Sequence, residues 1–263
     1  MSTGGIRAGL AALATVGLLA VAGCGAGDEP AAGADSSAVT GEVTVFAAAS
    51  LTESFTRIGA DFEAVNPGTK VTFSFAGSSQ LATQINQGAP ADVFAAASPT
   101  TMKTVTDAGN GGGTPVTFVR NQLVIAVPKA NPKGVTGLAD LTGPDVKVAL
   151  CAEQVPCGAA ARKALDAAGV RLTPVTLEQD VKAALSKVKL GEVDAALVYR
   201  TDVKAAASDV DGVEFPESAG AVNDYPIVVL KDAPHKTAAD AFVAYVRSGK
   251  GQAVLTAAGF QAP

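Results

Sequence analysis

Among 263 residues there is one histidine, no tryptophan, three tyrosines and three cysteines. A single imidazole, His235, excludes a His-rich metal site and leaves one residue for any Ser-His or Cys-His catalysis. Charge is also scarce. Only 17% of the residues are Asp, Glu, Lys or Arg, and the net charge is −5. Such a chain lacks the basic surface that nucleic-acid binding needs, so no nucleic-acid partner is expected. No Gly-rich phosphate loop and no G-x-S-x-G elbow occurs. What is abundant is apolar residues, 48% of the chain, enough to bury a sizeable core and to exclude wholesale disorder.

The N-terminus reads as an export signal. Met1 to Arg7 carries one positive charge, and Ala8 to Ala20 is uncharged and rich in Ala, Leu and Val. The run is short for a membrane span. It ends in Val21-Ala22-Gly23-Cys24, which resembles the bacterial lipobox, in which the Cys receives lipid. We therefore expect a lipoprotein signal peptide over residues 1–23 and lipidation of Cys24. A flexible, small and polar tether would follow over 24–40, and the protein would be extracytoplasmic and anchored to the cell membrane. In that compartment Cys151 and Cys157, with five residues between them in CAEQVPC, fit a local disulfide better than a zinc knuckle. Two buried free thiols are the alternative.

From Glu42 onward, short apolar runs alternate with Ala-rich stretches of helical period, as in Leu51, Phe55, Ile58, Phe62 and Val65. Strands alternating with helices of this length imply an α/β fold with mostly parallel sheets. The turns between them are the informative part. Ser50 opens the first helix with a Ser-x-x-Glu53 capping pattern. Ser78 and Ser79 open the second, Val155-Pro156-Cys157-Gly158 opens an Ala-rich helix, and Asp180-Val181 opens another. Taken singly, each reads as an ordinary N-cap. Brought together, such helix beginnings offer unpaired N–H groups to an anion without any Lys or Arg. Asp180 is expected to turn back onto its own helix.

The wording of these segments is distinctive. VTVFAAASLTESF, SFAGSSQLATQINQGAPADVFAAAS, AEQVPCGAAARKAL, EQDVKAAL, GEVDAALVYRTD and DYPIVVL together resemble the bacterial periplasmic molybdate-binding proteins, the solute receptors of molybdate ABC importers. The resemblance runs in order from Val43 to the C-terminus. It implies a two-lobe periplasmic-binding-protein fold (type II) with the ligand in the interlobe cleft. The first lobe would comprise 41–122 and 224–263, the second 123–223. It implies a molybdate site, with tungstate as a further ligand, formed by the hydroxyls of Ser50, Ser78 and Tyr199 and the backbone N–H groups of Cys157 and Val181. Metal would enter as the oxyanion, with no direct side-chain ligand and no cofactor. The expected partners are an ABC permease and its ATPase, and the protein is expected to act as a monomer and not as an enzyme. Relatives often have Ser at the position of Gly77 and Ala at that of Cys157, which leaves open whether Ser79 joins Ser78.

Other residues read blandly. Ser186-x-x-Lys189 lies in an amphipathic helix without the other motifs of a serine β-lactamase. His235 reads as a surface residue and Asp92 as structural. Lys182, Lys187 and Lys189 read as a solvated helix face or a transporter-docking surface. Two rival functions remain: a receptor for another tetrahedral oxyanion such as sulfate, and, further off, a secreted serine hydrolase using Ser50 or Ser78.

Overall fold

The computed structural model describes residues 39–263; the expected signal peptide, Cys24 and nearly all of the expected tether lie outside the described residues. Among the described residues, ten strands and eight α-helices follow in order. They begin with β1 (Gly41–Ala48), α1 (Thr52–Val65), β2 (Thr69–Ala76), α2 (Ser78–Asn86), β3 (Val93–Ala95), α3 (Pro99–Asp107) and β4 (Val116–Asn121). Next come β5 (Leu123–Pro128), β6 (Val148–Cys151), α4 (Pro156–Ala168), β7 (Thr176–Glu178), α5 (Val181–Lys189), β8 (Ala195–Tyr199), α6 (Arg200–Ala205) and β9 (Val210–Val213). The chain ends with β10 (Asn223–Val229), α7 (Lys236–Arg247) and α8 (Gly249–Ala258). Among the described residues no helix is long and apolar enough to cross a membrane.

The strands form two five-stranded sheets, in the orders β2-β1-β3-β10-β4 and β7-β6-β8-β5-β9. In the first, β1 pairs parallel with β2 and β3, while β10 runs antiparallel to β3 and β4. In the second, β6 pairs parallel with β7 and β8, while β5 runs antiparallel to β8 and β9. The reversed strand in each sheet is the one that enters after the chain has crossed from the other. The first crossing is abrupt: β4 ends at Asn121 and β5 begins at Leu123. The second runs from β9 through the 3-10 turn Pro216–Ala221 into β10.

The two sheets are packed differently. Nine of the ten phenylalanines lie outside 123–223; Phe215 is the exception. On the first sheet Phe242 of α7 meets Phe62 edge-on at 5.5 Å and Phe55 at 6.1 Å, and Phe55 also packs against Phe118. The second sheet packs on small side chains, with Ala160, Ala161, Ala164 and Ala184 all buried. The helical stripe of α1 holds at Leu51, Phe55, Ile58 and Phe62, but Val65 is 50% exposed. It sits on the last turn, where the chain leaves the helix for Asn66. β4 and β7 were not expected from the sequence. β7 is a three-residue edge strand whose Leu177 faces outward, so it carries no inward apolar pattern to read.

Cys151 ends β6, Cys157 lies in the first turn of α4, and the two are disulfide-bonded. The ring closes the loop that feeds the helix N-terminus. Gly158 completes that loop, because a Cβ there would fall 1.9 Å from the Ala152 carbonyl oxygen. A ring this small contributes about 2 kcal/mol through the unfolded chain. Replacing both cysteines with alanine should lower the urea unfolding free energy by about that amount. An unchanged value would show that the loop is held by packing alone.

Candidate functional site

Six strand ends meet around one cavity of ≈ 20 Å³. The turns after β1, β2 and β3 bring Ser50, Ser78 and Ala97; those after β6 and β7 bring Cys157 and Val181, and Tyr199 ends β8. Ligands of open α/β sheets bind at such carboxyl ends. The volume exceeds the roughly 10–15 Å³ a water needs but is far below the roughly 300–1,000 Å³ of pockets for organic ligands. A small polyatomic ion fits it; a sugar or a peptide does not. All five residues expected at the site line it: Ser50, Ser78, Cys157, Val181 and Tyr199. Ser79 instead donates to the Gln154 carbonyl oxygen at 2.7 Å.

The capping pattern at Ser50 is corrected by the structure. Ser50 lies in the 3-10 turn Ala49–Leu51, and the α1 N-cap is Leu51, with no side-chain cap. The Ser50 hydroxyl is 2.8 Å from the Tyr225 hydroxyl, 175 residues away. Ser78 Oγ accepts the Ala97 N–H at 3.0 Å. Tyr199 Oη accepts from Asn223 Nδ2 at 2.7 Å. Burial raises the pKa of Tyr199 and Tyr225 well above the ordinary phenol value, so both keep their protons. Ser78 and Tyr199 each have an N–H directed at the oxygen, which leaves their own hydrogens to be donated, while in the Ser50–Tyr225 pair either hydroxyl can be the donor.

Cys157 and Val181 fall in the first turns of α4 and α5, where N–H groups have no partner inside the helix. No lysine or arginine lines the cavity. The one acidic residue at its wall, Asp180, accepts the Ala183 N–H at 2.9 Å as the α5 N-cap, turned back as expected. Gly77, the residue before Ser78, is there for close approach: a Cβ on it would stand 2.3 Å from the Gln179 carbonyl oxygen of the opposite lobe.

Neither serine touches a base. Asp92 accepts the Thr44 and His235 N–H groups and sits 3.4 Å from the exposed His235 ring, so this pair is structural. Among the described residues no group of three or more His, Cys, Asp or Glu is placed to hold a metal ion.

Three residues near the site escaped the sequence reading. Asn121 donates to Thr201 Oγ1 beside the first crossing. Asn223 bridges Tyr199 and the Ala97 carbonyl oxygen. Asp202, fully buried, accepts the Tyr199 N–H at 3.0 Å. Lys182 is a correction. Its side chain is 24% exposed and lies 3.2 Å from Asp202, not on a solvated face. Lys187 and Lys189 pair with Glu192 and Asp209 in the open.

Two lobes joined by two crossings, with polar groups from both converging on one small cavity, define a solute-binding protein. A family model for bacterial extracellular solute-binding proteins matches residues 43–261, and the chain belongs to that family. It is 44% identical over 260 residues to the molybdate-binding protein ModA of Mycobacterium tuberculosis, covering 98% of each chain. The periplasmic molybdate-binding protein of Azotobacter vinelandii shares the fold at a TM-score of 0.73 and 22% identity, over 84% of this chain and 99% of that one. The sulfate-binding protein SubI of M. tuberculosis shares it at 0.71 and 18%, over 84% and 86%. Fold alone therefore leaves the anion open.

Burial pushes the Asp202 carboxyl up to about 6, against the pull of Lys182 and the Tyr199 N–H. Its ordinary value is 3.8, so between the two the folded protein holds a proton that the unfolded chain has released. Stability from this group falls as pH rises through that window. In urea titrations Asp202→Asn should therefore gain on the wild type from pH 4 to pH 6.5. A gap that stays constant with pH would contradict the raised value.

Proposed function

We propose that the protein is a lipid-anchored extracytoplasmic receptor that captures molybdate, and tungstate with it, and delivers the anion to an ABC permease driven by a cytoplasmic ATPase. The observation that carries this reading is a cavity whose converging polar groups are hydroxyls and helix-start amides, with the Asp180 carboxylate turned back onto its own helix. Ser50, Ser78 and Tyr199 have hydrogens to give, and the amides of Cys157 and Val181 can only give. A ligand that matches is all acceptor, and molybdate at neutral pH is a tetrahedral dianion with no proton. Hydrogen phosphate brings an O–H that needs an acceptor. Leaving it unpaired costs about 1–3 kcal/mol, roughly tenfold to a hundredfold in affinity.

Sulfate has the charge and shape of molybdate but is smaller, and rejecting it falls to the size of the cavity. The 44% identity to a molybdate-binding relative supports the larger anion. Binding needs no lysine or arginine. Five charge-assisted hydrogen bonds at roughly 1.5–3 kcal/mol each sum to about 7.5–15 kcal/mol, so the upper part of that range covers the roughly 8 kcal/mol of a micromolar complex together with desolvation and closure costs. The lobe division at 122/123 and 223/224 gives each lobe part of the donor set, so bound anion favours the closed form. The lipobox ending in Cys24 supports attachment to the membrane. Two or more acyl chains would make that attachment durable.

Calorimetric titration with molybdate, tungstate, sulfate and phosphate tests the reading. Molybdate and tungstate should bind at least tenfold more tightly than sulfate or phosphate. Ser50→Ala and Ser78→Ala should each weaken molybdate by about tenfold to a hundredfold. Sulfate binding as tightly as molybdate would sink the assignment.

A further inference from the structure

Lys182 stands at the second position of α5, next to Val181 of the cavity wall. Its Nζ donates to both carboxylate oxygens of Glu53, at 2.7 and 2.8 Å, and lies 3.2 Å from Asp202 Oδ1. Glu53 belongs to α1, three residues beyond Ser50; Asp202 belongs to α6, three residues beyond Tyr199 and bonded to its N–H. One ammonium group thus ties together the segments that carry Ser50, Val181 and Tyr199. Among the described residues, Lys182–Glu53 is the one ion pair that joins the elements of one sheet to those of the other.

We propose that Lys182 and Glu53 form a closure latch, positioning residues that hold the two lobes together across the mouth of the cavity and so slow the escape of the bound anion. The inference rests on the receptor reading above. Neither residue lines the cavity, so the latch acts on the lobes and not on the ligand. Opening the lobes would part Glu53 from Lys182 but leave Lys182 beside Asp202, since α5 and α6 both belong to the second lobe. The pair therefore contributes to the closed state alone. Burial opposes the Lys182 charge, yet the Asp202 and Glu53 carboxylates outweigh it and hold its pKa above the ordinary lysine value. The lysine stays charged throughout the physiological range. The other crossing contacts, Ser79 to the Gln154 carbonyl, Asn223 to Tyr199 and Asn121 to Thr201, are neutral, so salt separates the ion pair from them.

The cleaner variant is Glu53→Gln, because Glu53 is 54% exposed on the side chain and its loss strands no buried charge. Lys182→Gln leaves the buried Asp202 without its cation and should also lower the thermal midpoint. Wild type, both single variants and the double variant are titrated with molybdate and, in parallel, with sulfate, and dissociation rates are followed by stopped flow. Glu53→Gln should bind molybdate roughly three- to tenfold more weakly, the span between an exposed and a half-buried pair. The loss should appear in the dissociation rate, with the midpoint of the ligand-free protein unchanged. Adding Glu53→Gln to Lys182→Gln should cost nothing further. Equal dissociation rates in wild type and Glu53→Gln, or losses that multiply in the double variant, would overturn the latch. If the wild type takes sulfate as tightly as molybdate, the receptor reading fails, and the latch is decided on sulfate by the same comparison. A wild type that binds neither anion overturns both.

Discussion

A hydroxyl group has one hydrogen to give, and what happens to that hydrogen depends on who already donates to its oxygen. In this cavity Ala97 N–H donates to Ser78, Asn223 donates to Tyr199, and the Tyr225 hydroxyl stands against Ser50. The supporting groups come from the turn after β3 and from β10, so the polarity of the site is set by strand packing rather than by the cavity residues themselves. Loss of any one supporter would let the corresponding hydroxyl rotate and become an acceptor. The direction of the Ser78 and Tyr199 hydrogens is thus a collective property of the first sheet and its reversed strand.

That property explains why so little charge is needed. Preorganised neutral donors on the buried Ser50, Ser78 and Tyr199 side chains cost little reorganisation when an anion arrives, and two helix N-termini add partial positive charge. Exclusion of water depends on the lobes meeting closely, and Gly77 shows how closely. A side chain at 77 would collide with the Gln179 carbonyl in the arrangement seen. Glycine lets backbone meet backbone, so the shape of the mouth is set by peptide geometry and not by side-chain rotamers.

Much of this was legible in the sequence. The alternation of apolar strands with Ala-rich helices gave the fold class, and the turn wording placed Ser50, Ser78, Cys157, Val181 and Tyr199 beside one another. What could not be read was every feature made by residues distant in the chain. Ser50-x-x-Glu53 has the local form of a capping box, yet both side chains are drawn away by partners from afar: Ser50 by Tyr225 and Glu53 by Lys182. Lys182 looked solvated because its helix neighbours Lys187 and Lys189 are, and its real environment comes from Asp202 on a different helix. Asn223 and Asp202 are polar residues of ordinary kinds, with no spacing that announces burial. β7 escaped because an exposed three-residue edge strand has no apolar period.

Asp202 poses a question of electrostatics that the rest of the site answers. A buried carboxylate close to an anion cavity is repulsive, and its own pKa is pushed up to about 6 by burial. Its use is geometric: it takes the Tyr199 N–H at the point where β8 ends and α6 begins, which fixes the phenol relative to the strand. A neutral side chain could accept that bond, but it could not recruit Lys182. The ammonium in turn reaches Glu53, so the negative charge inside the second lobe becomes the reason a positive charge stands at the mouth facing the first. An anion in the cavity would raise the cost of ionised Asp202 and strengthen its demand for Lys182. On this argument occupancy of the site and the bridge between the lobes reinforce one another through the same carboxylate.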